Sequence, residues 1–375
     1  MKIYAVGGAI RDTLMGLPLH DIDYVVVGSS VDEMLAKGFR PVGKDFPVFL
    51  HPQTQAEYAL ARTERKTGKG YKGFLFHADP AVTLEQDLER RDLTINAMAR
   101  EISETGEFIG PIIDPYNGQR DLAEKVFRHV SDAFAEDPLR LLRIARFAAR
   151  FPEFSVADST LTALRAIVQS QELKALSPER IWQELARGLV AQQPMRMFQV
   201  LLDTDAAPTI LPAALVAMLS QETCREELRV HLQLSPPQLE FRASVVLMQV
   251  AASEIRSWSE CVRMPIEVRD FSEIFSGLHG LIKKSPHGVF DPHQALAWFN
   301  RADVWRKPER GQALLDLAER LGFPVGKLNQ AMQLAQALQP VEIIASLPLA
   351  NRSDGESIRR AVEVSRLATM TSALL

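Results

Sequence analysis

Cysteine is almost missing from this chain: Cys224 and Cys261 are the only two in 375 residues, far apart and without metal-ligand spacing. That excludes a disulfide framework and a thiolate zinc site, and it fits a reducing, cytoplasmic compartment. No run of about 18 apolar residues occurs, so no transmembrane helix is expected. The N-terminus lacks a basic segment followed by an apolar stretch long enough for a signal peptide. An excess of positive charge is lacking too. The formal net charge is −4, so any polyanionic partner has to be held by a local basic patch. His231, His279, His287 and His293 are scattered without ligand spacing and read as surface or internally satisfied side chains. There is no repeat of fixed period and no low-complexity tract. The remainder, 46% hydrophobic and 24% charged, is that of an ordinary globular protein of two or three domains.

Within that ordinary background one stretch stands out. Asp21-Ile22-Asp23 runs into Tyr24-Val25-Val26-Val27, whose β-branched residues predict a buried strand. Residues two apart on a strand share a face, so Asp21 and Asp23 project two carboxylates together. Paired anions repel unless a cation lies between them, and Mg2+ with hard oxygen ligands answers that need. The bland alternative is two solvated acids at a strand entrance. Just upstream, Ile3-Tyr4-Ala5-Val6-Gly7-Gly8-Ala9-Ile10-Arg11 predicts a strand, a glycine pair and a short helix from about Ala9 that stops at Gly16. Glycines at such a turn let backbone N–H groups approach phosphate, and Arg11 in the first turn reaches the same anion.

Residues 1 to about 130 read as mixed α/β. Arg62 to Gly73 holds five basic residues, three glycines and no hydrophobic periodicity, and reads as a mobile basic loop. Arg90-Arg91-Asp92 runs straight into an apolar stretch, with Arg91 suited to clamp a triphosphate and Asp92 to orient it or bind a ribose hydroxyl. From about residue 130 helical patterns take over. Asp137 and Pro138 suit the N-cap and first turn of a helix, on which Arg140, Arg143, Arg146 and Arg150 form one basic face. The plainer readings are a simple cap and a solvated stripe. Pro178 opens another helix, and Glu179 is placed to brace the arginines.

Taken together, Gly7-Gly8-Ala9-Ile10-Arg11-Asp12, Asp21-Ile22-Asp23, Arg90-Arg91-Asp92, Asp114-Pro115 with Gly118, Glu136-Asp137-Pro138-Leu139-Arg140 and Pro178-Glu179-Arg180 resemble, in order, the tRNA nucleotidyltransferases that add CCA to tRNA 3′ ends. The closely related bacterial poly(A) polymerases share them. The likeness is strong over roughly residues 1 to 190. It implies an α+β chain: a polymerase-β-like nucleotidyltransferase head (1–130), a helical neck with a nucleotide-selecting helix (131–200), and a helical body and tail that bind tRNA (201–375). It further implies two Mg2+ ions on Asp21 and Asp23, ATP and CTP as substrates, and nucleotide contacts from Gly8, Arg11, Arg91, Asp137, Arg140 and Arg143. The His-Asp pattern of an appended phosphohydrolase appears only as His20-Asp21, so that activity is expected to be absent. Gly43 to Pro47 and the charge-mixed C-terminus favour tRNA over poly(A) chemistry, and the uninterrupted Arg62 to Gly73 stretch favours full CCA addition. A-adding or poly(A) activity stays open as the alternative. Glu57 is the candidate for a third carboxylate.

Overall fold

The computed structural model describes residues 1–19, 21–42, 48–66, 74–103, 105–285 and 287–374. The expectations drawn from His20, from Gly43 to Pro47 and from residues 67–73 fall outside them. The chain divides into two compact units, one of Met1–Gly188 with Arg196–Thr209, the other of Leu189–Met195 with Ile210–Leu375.

The first unit opens with β1 (Lys2–Val6), α1 (Gly8–Leu14), β2 (Asp23–Val27), α2 (Val31–Ala36), β3 (Arg40–Val42), β4 (Val48–Leu50) and β5 (Glu57–Leu60). It continues through the hairpin strands β6 (Arg62–Lys66) and β7 (Phe74–Ala78), α3 (Leu84–Glu89), β8 (Ala99–Ile102), β9 (Phe108–Ile113), α4 (Gly118–Ala123) and β10 (Val126–Phe127). Then come α5 (Leu139–Arg150), β11 (Ser155–Val156), α6 (Asp158–Gln169) and α7 (Pro178–Leu189). Seven strands form one sheet in the order β3-β4-β5-β2-β1-β8-β9. All neighbours are antiparallel except β2 and β5, which run parallel with Tyr24 opposite Tyr58.

Strand β2 is central because its two faces are both apolar. Val25 packs with Tyr4, Val6, Leu88 and Ala97; on the other face Val26 packs with Met34 and Phe49. Ile22 and Tyr24 join the cluster around Ile10 and Met98. The alternation leaves Asp21 and Asp23 exposed on the face opposite Ile22, as period-two geometry requires. Asp23 also lies opposite Val6, the last residue before the glycine pair. Helix α1 begins at Gly8, one residue before the expected start, and Gly16 sits at φ +67° past its end.

Two expectations need correction. Arg62 to Lys66 is a strand paired residue by residue with Phe74–Ala78, Arg62 opposite Ala78, and not loop. Cross-strand pairing supplies the order that hydrophobic periodicity did not reveal. Helix α5 starts at Leu139, with Pro138 as its cap residue, while the Asp137 carboxylate accepts the Leu139 N–H at 3.0 Å. Asp137 thus caps from one position further out.

The second unit is helical: α8 (Pro194–Asp203) and α9 (Ala207–Ile210) lie across the division, and α10 (Ala213–Leu219), α11 (Glu222–Leu234), α12 (Leu239–Leu247) and α13 (Ala252–Val262) follow. It ends with α14 (Ile266–Lys283), α15 (Pro292–Ala302), α16 (Pro308–Arg320), α17 (Gly326–Gln336), α18 (Pro340–Ser346) and α19 (Gly355–Leu374). Its core includes a carboxylate: Glu273, 2% exposed, accepts from Arg256 and Arg301 and so ties α13, α14 and α15 together. No described helix is long and apolar enough to cross a membrane.

Candidate active site

Gly8, Arg11, Asp21, Asp23, Arg91, Asp137, Arg140 and Arg143 all line one cavity of about 730 Å3 in the first unit. The structure therefore brings together all eight residues expected to bind metal or nucleotide, although they span more than a third of the chain. Ten arginines and six carboxylates line this cavity, so its surplus is positive while the chain's is negative. That is the local basic patch a polyanion needs.

The glycine turn has a steric reason. Gly7 sits at φ +68°, and a Cβ there would stand 2.9 Å from Arg91 Nη1. A side chain would therefore strain the backbone and push the Arg91 guanidinium aside. Gly8 is the less constrained of the pair, since its Cβ would first meet Arg11 Nη2 at 3.4 Å.

The arginines are held by buried acids, each a partner that sequence reading missed or misassigned. Asp87, fully buried, accepts from Arg90 Nη2 at 2.8 Å and Arg91 Nη2 at 3.2 Å. Burial pushes the Asp87 pKa up, but the two guanidiniums override it and keep the group ionised. Arg90 also pairs with Glu64 at 2.6 Å, tying the β6–β7 hairpin to this wall. Asp92 does not orient Arg91. It accepts from Arg143 Nε at 2.8 Å and Nη2 at 2.7 Å, while its other oxygen takes the Leu93 N–H and Asn96 Nδ2. Burial opposes its ionisation, yet Arg143 and these hydrogen bonds hold Asp92 well below the usual carboxylate range. Arg143 is correspondingly raised by Asp92, against the cost of burial.

Arg11 is 3% exposed and stacks over Phe147 of α5 and Phe151 just past its end. It donates to Asp12 and to Asn96 Oδ1; Arg150 reaches the same Asp12 at 3.0 Å. Burial lowers the Arg11 pKa, with Asp12 opposing the shift. Arg140 is 8% exposed and gives two N–H groups to the carbonyls of Ala133 and Arg90. The expected brace from Glu179 is wrong: Glu179 is exposed, and the buried Glu184 pairs with Arg146. Five residues along a helix turn the side chain by about 140°, so only Glu184 faces α5. Asp137's second oxygen lies 3.9 Å from Arg180 of α7.

Asp21 and Asp23 supply the hard oxygen donors a divalent metal takes. Among the described residues no group of three acid, histidine or cysteine side chains is placed to hold an ion, so Glu57, though it lines the cavity, completes no such cluster. Phosphate oxygens and water would fill the remaining positions around an ion held by the aspartate pair.

A mixed sheet that presents two carboxylates beside a glycine turn, under a helix of arginines, defines a nucleotidyltransferase head. In agreement, residues 3–128 match the family model "Poly A polymerase head domain", and 153–218 match "Probable RNA and SrmB- binding site of polymerase A". The chain is 46% identical to the multifunctional CCA protein of Burkholderia cenocepacia, over 100% of this chain and 99% of that one. Among solved structures, the Bacillus stearothermophilus CCA-adding enzyme in complex with CTP superposes with TM-score 0.68 at 21% identity, covering 99% of this chain and 89% of that one. The Thermotoga maritima CCA-adding enzyme complexed with tRNA gives 0.65 at 20%, covering 99% and 87%. The chain belongs to the family of multifunctional CCA proteins, the CCA-adding tRNA nucleotidyltransferases.

Proposed function

We propose that this enzyme adds C, C and A to the 3′ end of cytoplasmic tRNA without a template, using CTP and ATP. The RNA 3′-hydroxyl attacks the nucleotide α-phosphate, forming a new phosphodiester while pyrophosphate leaves with the electron pair of the broken bond. Asp21 and Asp23 would hold two Mg2+ ions, which supply activation of the hydroxyl and neutralisation of the leaving pyrophosphate. Arg11, Arg91 and Arg143 add fixed positive charge around the triphosphate, at a cavity wall stiffened by Asp12, Asp87 and Asp92. The glycine turn gives the phosphates close access to backbone N–H groups.

Base choice rests on Asp137 and Arg140. Cytosine and adenine each present an exocyclic amino donor beside a ring-nitrogen acceptor. A carboxylate oxygen of Asp137 can accept from the first, and an Arg140 N–H can donate to the second. Two of five Arg140 N–H groups are committed to carbonyls, which fixes the fork and leaves donors for the base. Guanine and uracil present the opposite order, and each unpaired buried group costs about 1–3 kcal/mol.

The observation that carries this reading is the convergence of all eight residues on one cavity. It is tested with tRNA transcripts ending before the first C, after C and after CC, supplied with CTP and ATP separately and together. Completion of all three is expected. Extension of the CC-ended transcript alone, or a long A tail, would replace the reading with an A-adding enzyme or a poly(A) polymerase.

A further inference from the structure

The cavity has an end that base selection and the metal pair do not use. Arg180, Glu184 and Arg187 recur at four and three residues on α7, hence on one face. Arg180 faces Asp137 at 3.9 Å and Glu184 pairs with Arg146, so α7 follows α5 in the same direction. Arg187, one turn past Glu184, comes to the side of Arg150, one turn past Arg146, and both line the cavity. From Arg140 to Arg150 the helix rises about 15 Å, which separates this end from the base-reading end.

The charge balance there is incomplete. Arg146 is neutralised by Glu184. Arg11 and Arg150 share a single carboxylate, Asp12. Arg187 is exposed and makes no hydrogen bond or ion pair among the described residues. Three guanidiniums therefore meet one acid, and two of them, Arg150 and Arg187, keep donors toward the cavity. An oxyanion with several acceptor oxygens completes such a set, and the forked geometry of arginine matches phosphate.

We propose that Arg150 and Arg187 form a second phosphate subsite, distinct from the Arg91 and Arg143 wall, with Arg187 as a substrate-positioning residue of the nucleotidyl transfer proposed above. The phosphate belongs either to the RNA acceptor strand or to the triphosphate tail of the incoming nucleotide. The two sources are separable by measurement.

Full-length Arg187→Gln and Arg187→Lys are compared with the unaltered enzyme. Equilibrium binding of tRNA is measured across a salt series, binding of CTP is measured separately, and steady-state addition of CTP is recorded. The exposed position predicts unchanged melting for both variants. If the phosphate is the RNA's, the Gln variant binds tRNA about ten-fold more weakly with a log–log salt slope lower by about 0.7–1, and CTP binding is unchanged. If it is the nucleotide's, the CTP dissociation constant and KM rise about ten-fold and the tRNA slope is unchanged. In either case kcat stays within about two-fold and Lys retains most of the lost affinity. A Gln variant with both affinities and the slope unaltered overturns the subsite, as does a Lys variant as impaired as Gln. The binding arms need no turnover, so an enzyme that fails to extend any transcript would refute CCA addition while leaving this subsite decided by binding.

Discussion

Replacing Asp92 with Asn removes one negative charge and almost no volume, at a carboxylate 6% exposed. Four donors converge on it: two N–H groups of Arg143, the Leu93 N–H and Asn96 Nδ2. The amide can satisfy the Leu93 N–H through its oxygen, but its NH2 then points at Arg143, donor against donor. Breaking a fully buried pair costs about 3–5 kcal/mol. The Arg143 side chain is 34% exposed, so water recovers part of that, and about 2 kcal/mol is expected. If half of this is felt in unfolding and half as a misplaced Arg143 in the transition state, CTP addition falls about five-fold in kcat/KM. Urea unfolding read at the single tryptophan of the first unit, Trp182, gives the first share, and single-turnover addition gives the second. Linkage adds a sign. The Asp92 pKa is depressed on folding, so its stabilisation is complete above about pH 4, the unfolded value, and fades as pH falls below it. Asp92→Asn should lose that acid dependence. A variant with unaltered urea midpoint and unaltered addition would refute Asp92 as the anchor of Arg143.

Asp21→Ala should abolish addition while tRNA affinity, measured by filter binding, stays within about two-fold; unimpaired turnover would refute the metal assignment. Gly7→Ala should raise the CTP KM about ten-fold, because its Cβ would meet Arg91 Nη1 at 2.9 Å on a backbone at φ +68°; nucleotide titration checks it. In the second unit His231 and His279 flank Phe323, and burial lowers both pKa values. Each folds neutral with a pKa below the unfolded value of about 6.5. Their contribution is therefore full above that pH and is lost as pH falls through it toward the folded value. Urea midpoints followed from about pH 7.5 to 5 should drop, and His279→Gln should flatten the drop.

Much of this architecture was legible because its signals are local. The valines of β2, the glycine at 16 and the Asp-x-Asp spacing each act through neighbours a few residues away, and period-two geometry alone places both carboxylates on one face. The β6 strand was missed for the opposite reason. Arg62-Thr63-Glu64-Arg65-Lys66 has no apolar alternation, and its order comes from pairing with β7 and from Glu64 reaching Arg90, 26 residues away.

The acids show the same limit more sharply. The arginines were legible as a stripe, since residues three and four apart share a helix face. Which acid meets which arginine depends on helix packing, and that is set by side chains elsewhere. Asp92 reaches Arg143 across 51 positions and Glu184 reaches Arg146 across 38; no periodicity in one segment carries that information. Asp87 alone was accessible, since Arg90 and Arg91 follow it at three and four residues on and just beyond α3. This division has a functional meaning. A stripe of arginines that were merely solvated would need no buried acids. Here Asp92 and Glu184, both almost inaccessible to water, pair with two of them, Arg143 and Arg146, as the buried Asp87 does with Arg90 and Arg91 beside the stripe, and a buried charge costs several kcal/mol unless it is well paired. Their pairing fixes guanidinium planes before any substrate arrives, so the binding of a phosphate-rich ligand need not bear the entropy of ordering them.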